Sequence, residues 1–180
     1  MGRRPGHCYR LQDRPPFVRK KYIHRQPPMR ITSFDMGNTK GDFEIKISLV
    51  ALQTCQIRHH SLEAARVAAN RWLLRNVTRP KYHLRVRVKP FHFLRENKMI
   101  SGAGADRVQD GMRKAFGKVI GRAARVDRHQ AILTVRCNRE SLKDARKALN
   151  KASYKLPPSC RIEFDEIDPE LRRKLGYGTY

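Results

Sequence analysis

The pattern of apolar and polar residues predicts two well-defined strands in the middle of the chain. In each run apolar residues alternate with polar ones, which places the apolar side chains on one face of a strand. The apolar positions are Phe43, Ile45, Ile47 and Leu49 in the first run and Tyr82, Leu84, Val86 and Val88 in the second. The polar face of the second strand carries Arg85 and Arg87, so this strand can cover a core and meet phosphates at once. Shorter extended segments are predicted at residues 31–36, 91–94, 123–126, 131–137 and 161–167.

Two helices are predicted where apolar residues recur every three to four positions. The first begins with Ser61 as its N-cap, and the second runs from about Arg139 to Ala152 with Asn138 as its cap. The apolar stripes are Leu62, Ala65, Ala69, Trp72 and Leu73 in the first helix and Leu142, Ala145, Leu149 and Ala152 in the second. A short third helix is predicted from Asp168, which is followed by a proline at the first helical position.

The order of these elements predicts an α+β fold. Two main helices are too few to cover both faces of a doubly wound parallel sheet, but they suffice for one face of a mostly antiparallel sheet. We therefore expect a single two-layer domain over residues 31–167. An arm over residues 1–30 precedes it, and a short helix and tail over residues 168–180 follow it.

The charge of the chain indicates a polyanionic partner. Lys and Arg number 40 against 16 Asp and Glu, giving a formal net charge of +24. The excess is concentrated in residues 1–30 and 81–130, and a domain with this imbalance repels itself unless a polyanion lies close by. No apolar run approaches the roughly 18 residues of a membrane-spanning helix. RNA or DNA is therefore the expected partner, rather than a membrane.

The N-terminal arm has no helical or strand periodicity. Its prolines fix the backbone and remove hydrogen-bond donors, so we expect an extended segment. Its composition predicts that it is disordered alone and becomes ordered along RNA phosphates, with Tyr9, Phe17 and Tyr22 packing or stacking.

A glycine-containing loop over about residues 100–112 admits two interpretations. GAGADR, Gly102 to Arg107, begins like a dinucleotide-binding fingerprint, but Arg107 replaces the third glycine and no clear helix follows. The candidate acid–base residues are His83, His92, Asp106 and Asp110, and their spacing matches no recognised arrangement. Contact with RNA is favoured, because small residues let a backbone approach a phosphate or base closely. An RNA-processing or nucleotide-dependent enzyme that uses this loop is the alternative.

The cysteines do not indicate a metal site. Cys8, Cys55, Cys137 and Cys160 are scattered, with no C-x-x-C pair. Cys55 with His59 and His60 is the nearest approach to a ligand cluster, and it lacks a matching second half. We expect reduced thiols, no metal and no cofactor.

Motifs along the whole chain resemble those of one protein family. They are MGRRPGHCYR at the start, FDMGN at 34–38, SLEAAR at 61–66, PFHFLRENKM at 90–99, GAGADR at 102–107, R-x-A-F-G-K at 113–118 and G-x-x-A-R-V at 121–126. The last two are the most specific. With these motifs the chain resembles the archaeal and eukaryotic large-subunit ribosomal protein L ten e, within the universal L sixteen family.

The resemblance implies an α/β-hammerhead fold and no catalytic activity. It implies a cytoplasmic protein of the large ribosomal subunit that binds rRNA beside the aminoacyl-tRNA site and contacts neighbouring ribosomal proteins. The internal loop would project toward the peptidyl-transferase centre and help to position tRNA, through Ser101, Gly102, Ala103, Gly104, Ala105, Asp106 and Arg107. The basic residues expected to bind rRNA are Arg3, Arg4, Arg10, Arg19, Lys20, Lys21, Arg25, Arg85, Arg87, Arg95, Lys98, Arg113, Lys114, Lys118, Arg122 and Arg125.

Two departures from the family pattern qualify the resemblance. Val119 stands where proline or alanine is usual, which is expected to loosen the backbone after the loop. The sequence stops at Tyr180 without the long extension of eukaryotic members, which indicates an archaeal protein.

Overall fold

The computed structural model describes residues 4–23, 25–99 and 111–166. Within these residues the chain forms eight strands and two α-helices. The strands are β1 (Asp35–Gly37), β2 (Ile45–Ala51), β3 (Cys55–Arg58), β4 (Tyr82–Val86), β5 (His92–Glu96), β6 (Lys118–Val126), β7 (Ala131–Cys137) and β8 (Cys160–Glu166). The helices are α1 (His59–Asn76) and α2 (Leu142–Ser153). The helix predicted from Asp168 lies outside the described residues.

The strands form two antiparallel sheets, which confirms the predicted α+β class. A five-stranded sheet has the order β1-β4-β7-β2-β8, and a three-stranded sheet has the order β3-β6-β5. The sequence pattern did not predict the division into two sheets. It missed β3 because this strand has only four residues, three of which are buried in a row, so no alternation marks it. We call the three-stranded sheet the small sheet.

One hydrophobic core joins both sheets and both helices. The predicted helical stripes are confirmed, because Leu62, Ala65, Ala69 and Leu73 are buried on α1 and all four predicted positions are buried on α2. Trp72 is partly buried against the core, and the Lys151 ammonium of α2 lies 4.1 Å from the centre of its ring. Helix α1 contacts β3 and β6 of the small sheet as well as β4, so it bridges the two sheets.

The cap predicted for the first helix is wrong, whereas Asn138 does occupy the N-cap position before the second helical segment. Helix α1 begins at His59, two residues before Ser61, and its N-cap is Arg58 in an extended conformation. The small sheet therefore leads directly into the helix, and the sequence carries no separate capping residue. A 3-10 turn, Arg139–Ser141, precedes α2, and Asn138 makes no side-chain capping hydrogen bond.

Two polar side chains that alternate with the apolar positions of the predicted strands are buried. Ser48 on β2 is fully buried, with its hydroxyl 2.6 Å from Asp165 Oδ2 and 3.0 Å from Thr134 Oγ1. His83 on β4 is buried with its Nε2 3.1 Å from Asp35 Oδ1. Neighbouring strands supply polar partners for both residues, and such pairing allows a polar group to be buried at low cost.

Candidate nucleic-acid interface

The N-terminal arm is hydrogen-bonded to both edges of the small sheet. The backbone amide of Gln56 on β3 donates to the Arg10 carbonyl at 2.8 Å. At the opposite edge the amide of Phe93 on β5 donates to the Phe17 carbonyl at 3.0 Å. Both strands are the outer strands of their sheet, whose exposed backbone groups would otherwise be open to pairing with another chain. The sequence pattern did not indicate these contacts, in which amides of both edge strands bind carbonyls of the arm; that the arm becomes ordered only along RNA stays a prediction.

Two histidines of the domain accept hydrogen bonds from the arm. The Phe17 amide donates to Nδ1 of His92 at 2.8 Å, and the Arg30 amide donates to Nδ1 of His59 at 3.3 Å. Burial, reinforced by the charges of Arg125 and Arg95, lowers the pKa of His92 to about 4. His59 has a similarly low pKa, so both imidazoles are neutral at physiological pH, the form whose Nδ1 can accept a hydrogen bond from an amide.

Burial is also the main cause of the low pKa of His59, which lies at about 4. The neighbouring His60 and the cations Arg30, Arg122 and Arg58 lower it further. The rings of His59 and His60 meet edge to face, with 4.3 Å between their centres. These histidines have structural contacts that explain their positions. The candidate acid–base residue His92 is likewise used to anchor the arm.

Arg95 on β5 joins the arm to the segment after the internal loop. Its guanidinium carbon lies 4.6 Å from the ring centre of Phe17 and 3.9 Å from that of Phe116. The two rings pack edge to face at 5.6 Å, and Arg95 Nη1 donates to the Phe116 carbonyl at 3.0 Å. Arg95 was predicted to bind rRNA. In the structure its guanidinium holds Phe17 of the arm and Phe116 together.

Arg122 on β6 has a comparable role on the other side of the arm. Its Nε donates to the Pro27 carbonyl at 2.9 Å, and its guanidinium lies 5.1 Å from the ring centre of Phe93. The neighbouring Arg125 is half-buried, and its Nε has no hydrogen-bond partner among the described residues. Two of the predicted rRNA-binding arginines, Arg95 and Arg122, therefore contact the arm from strands of the small sheet.

The other predicted residues fall into several places. Arg10 and Arg19 are exposed along the arm, and Lys20 and Lys21 belong to its second 3-10 turn. Lys21, Arg25 and Lys118 line a groove of about 690 Å³ together with Tyr22 and Phe116.

Arg4, Lys98 and Arg122 line a smaller pocket of about 240 Å³. Arg113 and Lys114 are exposed on the 3-10 turn Gly111–Lys114.

Arg85 and Arg87 are not part of this cluster. Both are exposed on or just after β4, in the five-stranded sheet, where they line a shallow site with Lys89. The Nε of Arg85 lies 3.6 Å from Asp35 Oδ1. They were grouped with the other cations because the sequence pattern cannot show that β4 and β5 belong to different sheets.

The internal loop from Ser101 to Arg107 and the N-terminal Arg3 lie outside the described residues. The structure shows only where the loop is attached, namely after Met99 and before Gly111. Gly117 follows soon after, with a φ of +79° and its Cα so close to β5 that a Cβ would lie 2.9 Å from the Glu96 carbonyl carbon. This turn holds the start of β6 against the end of β5.

A metal centre is not found within residues 4–23, 25–99 and 111–166. In these ranges no three or more His, Cys, Asp or Glu side chains lie close enough together to hold an ion. Among the same residues the cysteines are free, and burial raises the pKa of the Cys137 thiol to about 12. No helix of the described part is long and apolar enough to cross a membrane.

Sequence reasoning did not identify Arg58, His59 and His60 as pocket residues. Arg58 ends β3 and the two histidines begin α1, where they line the 240 Å³ pocket with Arg4 and Tyr9. The two histidines had been considered only together with Cys55, as an incomplete ligand cluster from which no metal site was expected. The pocket forms between segments far apart in the chain, which no local pattern reveals.

Comparison with known proteins places the chain in a family. The family described as ribosomal protein L16p/L10e matches residues 12–163. The chain is 47% identical to the large ribosomal subunit protein uL16 of Staphylothermus marinus over 172 residues, which are 96% of this chain and 99% of the relative. It is 46% identical to uL16 of Methanocella arvoryzae over 92% of this chain and 96% of the relative. It is 47% identical to uL16 of Thermofilum pendens over 92% of this chain and 99% of the relative. A family match over most of the chain, together with these relatives along nearly their full length, shows that the chain belongs to the L16p/L10e family of ribosomal proteins.

Proposed function

We propose that the protein is a structural constituent of the large ribosomal subunit, located in the cytoplasm, that binds rRNA through the arm and the small sheet. The observation that carries the proposal is the docked arm, which is hydrogen-bonded to both edge strands of the small sheet and carries exposed cations along its length. A rigid support for a row of cations suits the recognition of folded RNA, where phosphate contacts fix position and orientation.

The chemistry of the surface supports a binding role rather than a catalytic one. His59 and His92 are neutral at physiological pH, and their Nδ1 atoms accept hydrogen bonds from arm amides. The relatives are named as large ribosomal subunit proteins, which supports the same assignment. Neighbouring ribosomal proteins are further expected partners, and no cofactor is required.

The segment division also forms part of the proposal. Residues 1–30 act as an rRNA-binding arm, residues 31–167 as the single domain, and residues 168–180 as a short helix and tail. The internal loop, about residues 100–112, approaches the aminoacyl-tRNA next to the peptidyl-transferase centre and helps to position it. Substitutions from Gly102 to Asp106 should then spare assembly into subunits while impairing tRNA accommodation.

Co-sedimentation tests this function directly. Purified protein is mixed, at moderate salt, with large subunits depleted of their own copy, and with small subunits as the control. We expect stoichiometric recovery with large subunits and little with small ones. Equal recovery with both would show general affinity for RNA and contradict the proposal. Loop variants that fail to enter large subunits would refute the separate role of the loop.

A further inference from the structure

A pocket of about 240 Å³ lies between the start of the arm, the start of α1 and the small sheet. Its cationic side is formed by Arg4, Arg58, Lys98 and Arg122. The single carboxylate among the lining residues is Glu96, which accepts a hydrogen bond from Tyr9 at 3.5 Å and lies 3.9 Å from Arg4. Four cations against one carboxylate leave this side of the pocket strongly attractive to an anion such as a phosphate.

Apolar and aromatic side chains line the same pocket. They are Tyr9, Leu94 and Ile120; Ile120 is 42% exposed, and the Arg58 guanidinium carbon lies 5.9 Å from the ring centre of Tyr9. The imidazole of His60 is exposed at its margin. A surface with apolar and aromatic side chains beside cations suits a nucleobase attached to its phosphate, because unstacked bases pack on aromatic rings and on Arg side chains.

Gly121 keeps the floor of the pocket open. A Cβ on this residue would lie 3.5 Å from Nε2 of His59, in ordinary contact, so any larger side chain would enter the pocket. The backbone of Gly121 does not adopt the left-handed conformation that favours glycine. The effect of glycine here is therefore the space that its missing side chain leaves. Nδ1 of His59 accepts the Arg30 amide, which leaves the ring proton on Nε2 as a donor near this floor.

The volume of the pocket limits what it can hold. Pockets for drug-sized ligands occupy roughly 300–1,000 Å³, so a pocket of about 240 Å³ suits a smaller group. A base-paired segment cannot enter it, whereas one nucleotide turned out of a strand can. We propose that this pocket binds a single unpaired nucleotide of RNA, with the base against Tyr9 and Ile120 and the phosphate on Arg58 and Lys98. The inference rests on the proposed function, since it assigns a specific site to the RNA that the protein binds.

Filling the pocket without changing any charge tests the proposal. Gly121→Val adds a side chain at the floor, and Val67→Ile adds a methyl group on the exposed face of α1, away from the pocket and from the groove that Lys118 lines. Affinity for large-subunit rRNA is measured at fixed salt. We expect G121V to weaken binding about tenfold, the scale of one lost stacked base, and V67I to bind within about twofold of wild type. Equal affinities for wild type and a folded G121V would overturn the proposal.

A second pair of variants applies if G121V does not fold. Tyr9→Leu removes the aromatic ring, and Tyr9→Phe removes only the hydroxyl that contacts Glu96. We expect Y9L to weaken rRNA binding several-fold and Y9F to bind as wild type, because stacking requires the ring. Equal affinity of Y9L and wild type would overturn the proposal while leaving the proposed function intact. Absence of rRNA binding by the wild-type protein would instead refute the proposed function, and this inference with it.

Discussion

The backbone amide of Phe17 donates a hydrogen bond to Nδ1 of His92 at 2.8 Å, across 75 positions of the chain. The same type of contact joins the Arg30 amide to His59. These two bonds require neutral imidazoles, because a protonated ring has no free lone pair to accept the amide proton. The docking of the arm is thereby coupled to the protonation of two histidines.

Acidification should release the arm. The pKa values of His59 and His92 are lowered from 6.5 to about 4 in the folded protein. A lowered pKa means that the unfolded state binds protons more readily, so the stabilisation is complete above about pH 6.5 and is lost as pH falls toward 4. The free energy of unfolding and the protease sensitivity of the arm, measured across this range, should both report the loss.

His92→Phe separates this effect from general acid denaturation. The variant keeps a ring but can neither titrate nor accept the Phe17 amide, so it should be less stable at pH 7 and depend less on pH between 6.5 and 4. The exposed His129 lies in the turn between β6 and β7, and His129→Asn serves as the control. If H92F shows the full wild-type dependence on pH, His92 does not couple protonation to the arm.

The geometry of the Arg95 side chain, and not only its charge, should stabilise the arm. Its guanidinium contacts Phe17 and Phe116 and donates to the Phe116 carbonyl. Lysine retains the charge but lacks the planar group that stacks on rings. We expect Arg95→Lys to lower the free energy of unfolding by about 1 kcal/mol, the scale of a cation–π contact. Denaturant unfolding measures this difference.

Arg19→Lys provides the matched control for this variant, because Arg19 is exposed on the arm and the change also keeps its charge. It should unfold as the wild-type protein does. Equal stability of R95K and R19K would show that the stacked arrangement contributes nothing beyond charge.

Gly117 should tolerate alanine less well than Gly111. Both residues have positive φ, at +79° and +59°, so each substitution carries the cost of a left-handed backbone, about 1 kcal/mol. At Gly117 the new Cβ would also meet backbone, 2.9 Å from the Glu96 carbonyl carbon, whereas at Gly111 none of the residues that the structure describes lies within 4 Å of it. We expect Gly117→Ala to cost about 2 kcal/mol more than Gly111→Ala in thermal unfolding. Equal costs would mean that the turn relaxes freely.

Local periodicity was sufficient to predict the core but not the contacts between distant segments. The stripe of Leu62, Ala65 and Ala69 was correctly predicted, because a helix brings neighbours in sequence onto one face. The anchoring of Phe17 by His92 was not predicted, since it depends on two segments meeting across the small sheet. Likewise, the burial of Ser48 depends on Asp165, a residue 117 positions away.

The candidate site shows the same limit. The charge of Arg95 and Arg122 was visible in the sequence and correctly indicated a basic region. Their contacts with Phe116, Phe93 and Pro27 were not visible, so residues that hold the arm could not be distinguished from residues left exposed. Arg113 and Lys114, exposed on their turn, are the better candidates for direct phosphate contact.

The salt dependence of rRNA binding tests the central claim most directly. Each phosphate contact contributes a slope of about −0.7 to −0.9 in log affinity against log salt. Replacing Arg113, Lys114 and Lys118 together by glutamine should therefore reduce the steepness of the slope by about 2 and weaken binding more than tenfold. The control replaces Lys143, Arg146 and Lys147, exposed on the outer face of α2, and removes the same charge. We predict a steep salt slope for the wild-type protein, a shallower slope for the first variant and an unchanged slope for the control. A flat wild-type slope, or an equal loss of affinity in both variants, would contradict a specific rRNA-binding face on the arm and small sheet.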